Sequence, residues 1–154
     1  MKRDDARTRE HIDKYGCTVM HVAGEGDPPP FAYSIGVTEQ TGEPEVVVIG
    51  LKREMAHFVV NEYNRRVCAG ERFQSGQRYS GFLEGFDVEA EEVPRSAYQE
   101  YFGQALTFYG GSCFRVLQLV YPTTDGVWPW SSEASESIRQ RQPLLARAHG
   151  TSVP

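Results

Sequence analysis

Two strand-like segments, FAYSIGV at 31–37 and EVVVIGL at 45–51, restrict the fold more than any other feature of the sequence. In the first segment large and small residues alternate, which predicts a β-strand whose two faces differ. The large residues and the small residues fall on opposite faces: Phe31, Tyr33, Ile35 and Val37 against Ala32, Ser34 and Gly36. The second segment is a nearly continuous apolar run, which is typical of a strand buried on both faces. We therefore expect the domain core to be built on these two strands.

The rest of the chain divides into further strands, helices and turns. Further strands are predicted at 17–22, 85–93 and 114–121, and helices at 4–15, 52–69 and 98–109. Six apolar residues recur at helical spacing in the middle helix and predict one buried stripe: Met55, Ala56, Val59, Val60, Tyr63 and Val67. The polar, glycine-rich stretch between this helix and 85 is predicted to be an extended loop. Gln118 lies inside an apolar strand, so its amide is expected to have a backbone partner.

Strands occur in consecutive groups and do not alternate strictly with helices, which favours an α+β fold. The chain has 154 residues, the usual size of one domain. We predict a single domain over 1–150, with its core at about 11–146 and a disordered tail at 147–154. The sheet is predicted to have about five strands with mixed or mostly antiparallel pairing. Two main amphipathic helices pack on it, and the thin apolar face of the N-terminal helix places that helix at the periphery.

The charge of the chain argues against two classes of partner. The formal net charge is -5, and the 16 basic residues form no stripe along the sequence. Because binding to nucleic acid needs a concentrated positive surface, no nucleic-acid partner is expected. The same reasoning disfavours an anionic membrane surface, and no apolar run has the length of a spanning helix.

The cysteines and the N-terminal residues indicate a cytoplasmic protein. The three cysteines, Cys17, Cys68 and Cys113, are odd in number and widely spaced, which is not the pattern of a disulfide framework. The N-terminal segment is charged throughout and lacks the apolar core of a signal peptide.

Several motifs occur in an order that resembles a known family. They include the FAYSIG strand, the LQLVYP segment with the following DGVWPW turn, and a late QPL. In this order they resemble the bacterial family of unknown function DUF4262, over about 11–145. The resemblance implies a small bacterial cytosolic domain, and it carries no established activity, cofactor or catalytic residue.

Six residues are candidates for ligand binding: Tyr33, Ser34, His57, Asn61, Arg78 and Trp130. The small face that includes Ser34 would let either a packed helix or a flat ligand approach the sheet closely. At about 100° per residue, His57 and Asn61 share a helix flank with Asn64 and Cys68, away from the apolar stripe. This uncharged flank either lines a cleft or is simply solvated. His57 is the one candidate for acid or base chemistry, because a histidine titrates near neutral pH.

The sequence indicates no metal site and implies no cofactor. The four histidines are scattered without chelating spacing, and no glycine-rich phosphate loop is present. Cys113 follows two glycines at a turn, but no histidine nearby in the sequence would activate it. We therefore expect Cys113 to be structural.

Two functions remain open at this point. One is small-molecule binding, with or without catalysis, in a pocket between the 31–37 strand, the His57 flank and the polar loop 72–79. The other is a non-catalytic role in protein interaction through an exposed surface at Trp128 and Trp130, which flank Pro129 in a turn. Large rings in a turn are hard to bury fully, and exposed apolar patches often mark interaction sites.

Overall fold

The structure, a computed structural model, describes residues 2–23 and 29–146, and in this part of the chain six strands form one mixed sheet. The strands are β1 (Thr18–Val22), β2 (Phe31–Ile35), β3 (Glu45–Ile49), β4 (Arg78–Leu83), β5 (Phe86–Glu92) and β6 (Val116–Val120). Their order across the sheet is β1-β2-β3-β6-β5-β4. Neighbouring strands pair antiparallel, except that β3 and β6 are parallel. The predicted α+β class with a mixed, mostly antiparallel sheet is confirmed, with six strands in place of about five.

Helices cover both faces of the sheet. The helices are α1 (Lys2–Tyr15), α2 (Val37–Thr41), α3 (Arg53–Cys68), α4 (Tyr98–Tyr101), α5 (Gly103–Tyr109) and α6 (Glu136–Arg141), with a 3₁₀ turn at Arg95–Ala97. Helix α3 packs on one face through five buried apolar side chains: Ala56, Val59, Val60, Tyr63 and Val67. The opposite face is covered by the turn and helices at 95–109, together with Ile12 of α1 and Leu145. Burial of each large apolar side chain stabilises such a core by about 1.5–3 kcal/mol.

Helix α3 forms where its apolar stripe predicts it, with one exception in the stripe. Met55 belongs to the predicted stripe, yet 46% of its surface is exposed. Ala56 in the same turn of α3 is buried, so Met55 lies at the exposed edge of the stripe. The prediction that Met55 is buried is therefore wrong.

The sixth strand, β4, lies in the stretch that we predicted to be an extended loop. The register of β4 against β5 shifts between Tyr79 and Leu83. Within that shift Gly81 has a φ of 93°. This irregularity interrupts the alternation of apolar residues, so the period-two signal of a strand does not appear in the sequence.

Three other boundaries also differ from the prediction. The helix predicted at 98–109 is broken at Phe102, whose φ of -122° and ψ of 44° are not helical. Phe102 is fully buried, and its ring packs edge-on against Tyr33 and Tyr98. Helix α2 begins at Val37, which we predicted to end a strand, and α6 lies in a segment for which we predicted no helix.

The end of the described chain is attached to the central strand β6 through Gln118. Its side-chain amide donates to the carbonyl of Pro143 at 2.8 Å and accepts from the Leu145 amide at 3.0 Å. The predicted backbone partner of Gln118 is therefore confirmed. The tail predicted at 147–154 lies outside the described residues.

Candidate functional site

A cleft opens between α1, β1 and the outer flank of α3, and we call it the α1–α3 cleft. Its volume is about 520 Å³, within the range of small-molecule sites. His11 and Tyr15 of α1 line one wall, His57, Phe58 and Asn61 of α3 line the other, and Thr18 of β1 lies between them. His57 and Asn61 face this cleft because the opposite side of α3 is committed to the core.

The rim of the α1–α3 cleft carries two exposed aromatic rings. Tyr15 is 61% exposed and Phe58 is 52% exposed. Glu62 and Arg65, which also line the cleft, bond to each other at 3.0 and 2.7 Å. The cleft therefore combines aromatic surface with uncharged polar groups, and its charged pair is internally neutralised.

Asn64 holds the closed end of this cleft together. Its side-chain amide donates to the carbonyl of Tyr15 at 3.3 Å and accepts weakly from the Cys68 thiol at 3.7 Å. Asn64 is buried, so this part of the predicted polar flank ties α1 to α3. Only His57 and Asn61 of the predicted candidates line the α1–α3 cleft.

His57 also bonds to a second histidine, His21 of β1. The nitrogens His21 Nε2 and His57 Nδ1 are 3.0 Å apart. The ring planes differ by 8° and the ring centroids are 5.2 Å apart. The distance between the centroids is longer than the distance between the nitrogens by about two ring radii, so each nitrogen lies on the line that joins the two centroids. Because the ring planes are also nearly parallel, the rings meet edge to edge in one plane. Burial, the charge of Arg53 and His57 together lower the pKa of His21, which favours its neutral form.

Ser34 and Tyr33 lie beneath packed elements, away from the cleft surface. Ser34 is fully buried: its hydroxyl donates to Glu45 Oε1 at 2.7 Å and accepts from the Val46 amide at 3.0 Å. Tyr33 is 2% exposed and packs against Phe102 on the other face of the sheet. Burial raises the pKa of Tyr33 to about 12. The small face of β2 is thus occupied by protein packing.

Glu45 is a buried polar residue that our sequence reasoning did not single out. Its carboxylate accepts from the backbone amides of Gly36, Val37 and Thr38 at 3.0 to 3.2 Å. The hydroxyls of Ser34 and Tyr109 also donate to it. Burial raises the pKa of Glu45, and the hydrogen bonds from Tyr109, Ser34, Thr38 and Gly36 oppose that shift. The signal in the sequence was a lone glutamate at the start of an apolar run.

A comparison with protein families identifies the domain. A family model described as a domain of unknown function, DUF4262, matches residues 11–135. The chain belongs to the DUF4262 family. The match covers all six strands and both walls of the α1–α3 cleft. No curated protein and no solved structure shows a detectable similarity to the chain.

The remaining candidates of the DUF4262 domain lie at the other edge of the sheet. Arg78 on β4 bonds to Glu89 at 3.1 Å, and its guanidinium lies 4.4 Å from the ring centre of Trp128. Trp128 stacks in turn on Trp130, with ring centroids 4.9 Å apart and planes 9° apart. Both tryptophans are half-buried. Because β1 and β4 are opposite edge strands, Arg78 and Trp130 are separated from the cleft by the width of the sheet.

The predicted three-part pocket is therefore not brought together. The α1–α3 cleft includes the His57 flank, but it includes neither β2 nor residues 72–79. The polar loop packs instead through Phe73, whose ring contacts Tyr63 and Tyr79.

The cysteines of the DUF4262 domain are all free thiols. Cys17 is buried, and burial raises its pKa to about 12. Cys68 and Cys113 are exposed. Arg95 and Arg115 lie beside Cys113, but Arg95 donates to the Ser112 carbonyl and Arg115 pairs with Glu92.

Among the described residues, no three His, Cys, Asp or Glu side chains are grouped to hold a metal ion. None of the helices within 2–23 and 29–146 combines the length and hydrophobicity needed to cross a membrane.

Proposed function

We propose that this DUF4262 domain binds a small, uncharged, planar organic molecule in the α1–α3 cleft. The observation that carries the proposal is a cleft of about 520 Å³ with two exposed aromatic rings at its rim. Exposed aromatic rings beside a concave surface are an unfavourable arrangement in water unless something covers them. A flat ligand would cover Tyr15 and Phe58 and gain the apolar contact that these rings lack.

The polar groups of the cleft define the chemistry of this ligand. Asn61 offers an amide, which both donates and accepts hydrogen bonds, and His57 offers a ring nitrogen. Because Glu62 and Arg65 neutralise each other, the walls present no net charge that would select an ion. A neutral molecule with donor and acceptor groups at its edge fits this lining best. No reaction is included in the proposal.

A thermal-shift screen with neutral and charged planar compounds tests the proposal. A compound present at about 100 times its Kd should stabilise the domain by about 2.7 kcal/mol, which raises Tm by several degrees. Asn61→Ala and Phe58→Ser should each remove most of that shift. Arg78→Ala is the matched control, because Arg78 lies at the far edge of the sheet and should leave the shift unchanged.

Two results would contradict small-molecule binding in this cleft. One is a screen without any stabilising compound. The other is a compound whose shift persists in both cleft variants or disappears in Arg78→Ala, because that compound would bind elsewhere.

A second proposed function is protein interaction, and the structure favours a different surface for it than the tryptophans. Met55 and Phe58 are 46% and 52% exposed and border a groove of about 540 Å³. Gly81 to Glu84 form the other side of this groove. Trp128 and Trp130 instead stack on each other and are half-buried. Cross-linking in cells with Met55→Ser, compared with Trp130→Ala, distinguishes the two surfaces by which variant loses its partner.

We also infer that the domain acts in the bacterial cytoplasm. The resemblance described above implies a bacterial source, and the free thiols support a reducing compartment. Cys68 and Cys113 are both exposed, and exposed free thiols persist best where disulfides are kept reduced. Fractionation of cells that express the native protein checks this location directly.

A further inference from the structure

Two imidazole rings from distant parts of the sequence meet beside the α1–α3 cleft, and one of them, His57, also lines it. His21 lies on β1 and His57 on α3, 36 residues further along the chain, and their facing nitrogens are 3.0 Å apart. Spacing along the chain did not indicate this pair, since chelating motifs place both histidines on one element. His57 is exposed and His21 is half-buried, so solvent reaches the pair.

We propose that His21 Nε2 and His57 Nδ1 form a two-ligand site for a late first-row divalent ion, such as Ni²⁺, Cu²⁺ or Zn²⁺. Imidazole nitrogens bind such ions at about 2.0–2.1 Å. At the observed separation of 3.0 Å, an ion at that distance from both nitrogens subtends an angle of about 90°. This is the angle between adjacent ligands in the tetragonal and octahedral coordination that Cu²⁺ and Ni²⁺ adopt.

Binding requires two rearrangements and no new residue. The hydrogen that joins the two rings moves to the other nitrogen of its own ring, which leaves a lone pair on each facing nitrogen. The rings, now edge to edge in one plane, tilt so that both lone pairs point to the ion. His57 is exposed and His21 is half-buried, so neither ring belongs to the buried core.

The charges around the pair set the kind of ion and the strength of binding. Neutral imidazole is the form that binds metals. The charge of Arg53, which acts on His21, also repels a cation. In the described chain no third acidic, cysteine or histidine ligand completes the site. We therefore expect modest affinity, with water in the remaining positions, and no binding of Mg²⁺, which prefers oxygen ligands.

This site shares His57 with the proposed small-molecule site, but each site also has a residue of its own. His21 does not line the α1–α3 cleft, and Asn61 is not one of the two proposed ligands. His21→Ala therefore tests the metal site alone, and Asn61→Ala tests the cleft alone.

Calorimetric titration of the untagged full chain at pH 7.5 with Ni²⁺, Zn²⁺ and Mg²⁺ tests the proposal. We expect one Ni²⁺ or Zn²⁺ per chain and no heat from Mg²⁺. Removing a ligand should weaken binding by about tenfold or more, at least as much as the loss of a supporting partner does. His21→Ala and His57→Ala should both show this loss, while His11→Ala and His149→Ala should bind like the wild type. Binding should also weaken from pH 7.5 to 5.5, because protonated imidazole is not a ligand.

A second measurement needs no variant and so does not depend on how the variants fold. In the proton NMR spectrum, substoichiometric Cu²⁺ should broaden the ring signals of two histidines, His21 and His57, before those of His11 and His149. The proposal is overturned by the absence of binding, by equal affinity in both pair variants, or by selective broadening of His11 or His149.

Discussion

The Glu45 carboxylate and the His57 flank both place polar groups beside apolar residues, but they differ in how their hydrogen-bonding groups are used. Glu45 is 1% exposed and accepts hydrogen bonds from five donors on two segments of the chain, 34–38 and Tyr109. His57 and Asn61 lie on the exposed side of α3 and line a cleft. Polar groups whose bonds are all made within the protein stabilise the fold, whereas groups that face a cleft remain available to a ligand. Whether all hydrogen bonds of a polar residue are made within the protein therefore distinguishes structural polar residues from candidate functional ones.

The largest effect should follow from replacing Glu45. Glu45→Gln keeps the shape of the side chain but places an NH₂ group among donors that need an acceptor. Leaving buried donors unsatisfied costs about 1–3 kcal/mol each, so we expect a loss of about 3 kcal/mol or more. Urea denaturation measures this change in the free energy of unfolding. Glu62→Gln is the control: Glu62 pairs with the exposed Arg65, and its loss should cost less than about 1 kcal/mol.

A smaller loss is expected at Gly36, whose amide is one of the donors to Glu45. Gly36 has a φ of 118°, and a Cβ placed there would lie 2.7 Å from Ile12 Cγ1. Gly36→Ala should destabilise the fold by about 1–3 kcal/mol through backbone strain, and the contact adds to that. Gly42→Ala is matched, since its φ is 82° and the added Cβ meets no atom within 4 Å. Equal losses of Tm in both variants would show that contact with Ile12 does not matter.

Ser34→Ala sharpens the comparison between the two regions. Removal of the Ser34 hydroxyl breaks its bonds to Glu45 and to the Val46 amide, and we expect a loss of about 1–2 kcal/mol. Asn61→Ala, on the exposed flank, should change stability by no more than about 0.5 kcal/mol. Ligand binding should show the reverse order. A Ser34→Ala variant of normal stability that has lost ligand binding would contradict the separation.

The smallest expected effect is a pH dependence that arises from His21. Because the pKa of His21 is lowered in the folded state, the unfolded chain binds a proton first as the pH falls. The contribution of His21 is therefore complete above its unfolded pKa, near 6.5, and is lost as the pH falls through the folded value. Denaturation of wild type and His21→Asn between pH 7.5 and 5 should show a steeper loss in the wild type. Parallel curves would be evidence against this linkage.

The sequence alone predicted those parts of the fold in which the spacing of apolar residues matches the side of the element that is buried. The strands at β2 and β3, and the helix α3, follow from alternation and from an apolar stripe in the sequence. The strand β4 does not, because the irregularity at Gly81 interrupts its period, and Phe102 breaks a helix whose spacing is continuous. Backbone geometry at single residues decides both cases, and residue pattern does not encode it.

The residues of the candidate site could also be predicted from the sequence only in part. His57 and Asn61 were found because they share a flank of one helix. His21 and Tyr109, which donates to Glu45, were not, because each of these contacts joins elements that are far apart in the chain. Arg78 and Trp130 were grouped with His57, but strand order, which the sequence does not reveal, places them at the other edge of the sheet.

The parallel pair β3 and β6 has a consequence for how the domain folds. The sheet consists of two antiparallel meanders, β1 to β3 and β4 to β6, and this pair is the strand contact that joins them. Each meander pairs strands through connections within its own half, whereas Val47 must find Gln118 across the intervening chain. Closure of a long loop carries an entropic cost before its contacts form, which slows the step. We therefore expect two halves that assemble early, with docking of β3 against β6 as the late, rate-limiting event, measurable by stopped-flow refolding.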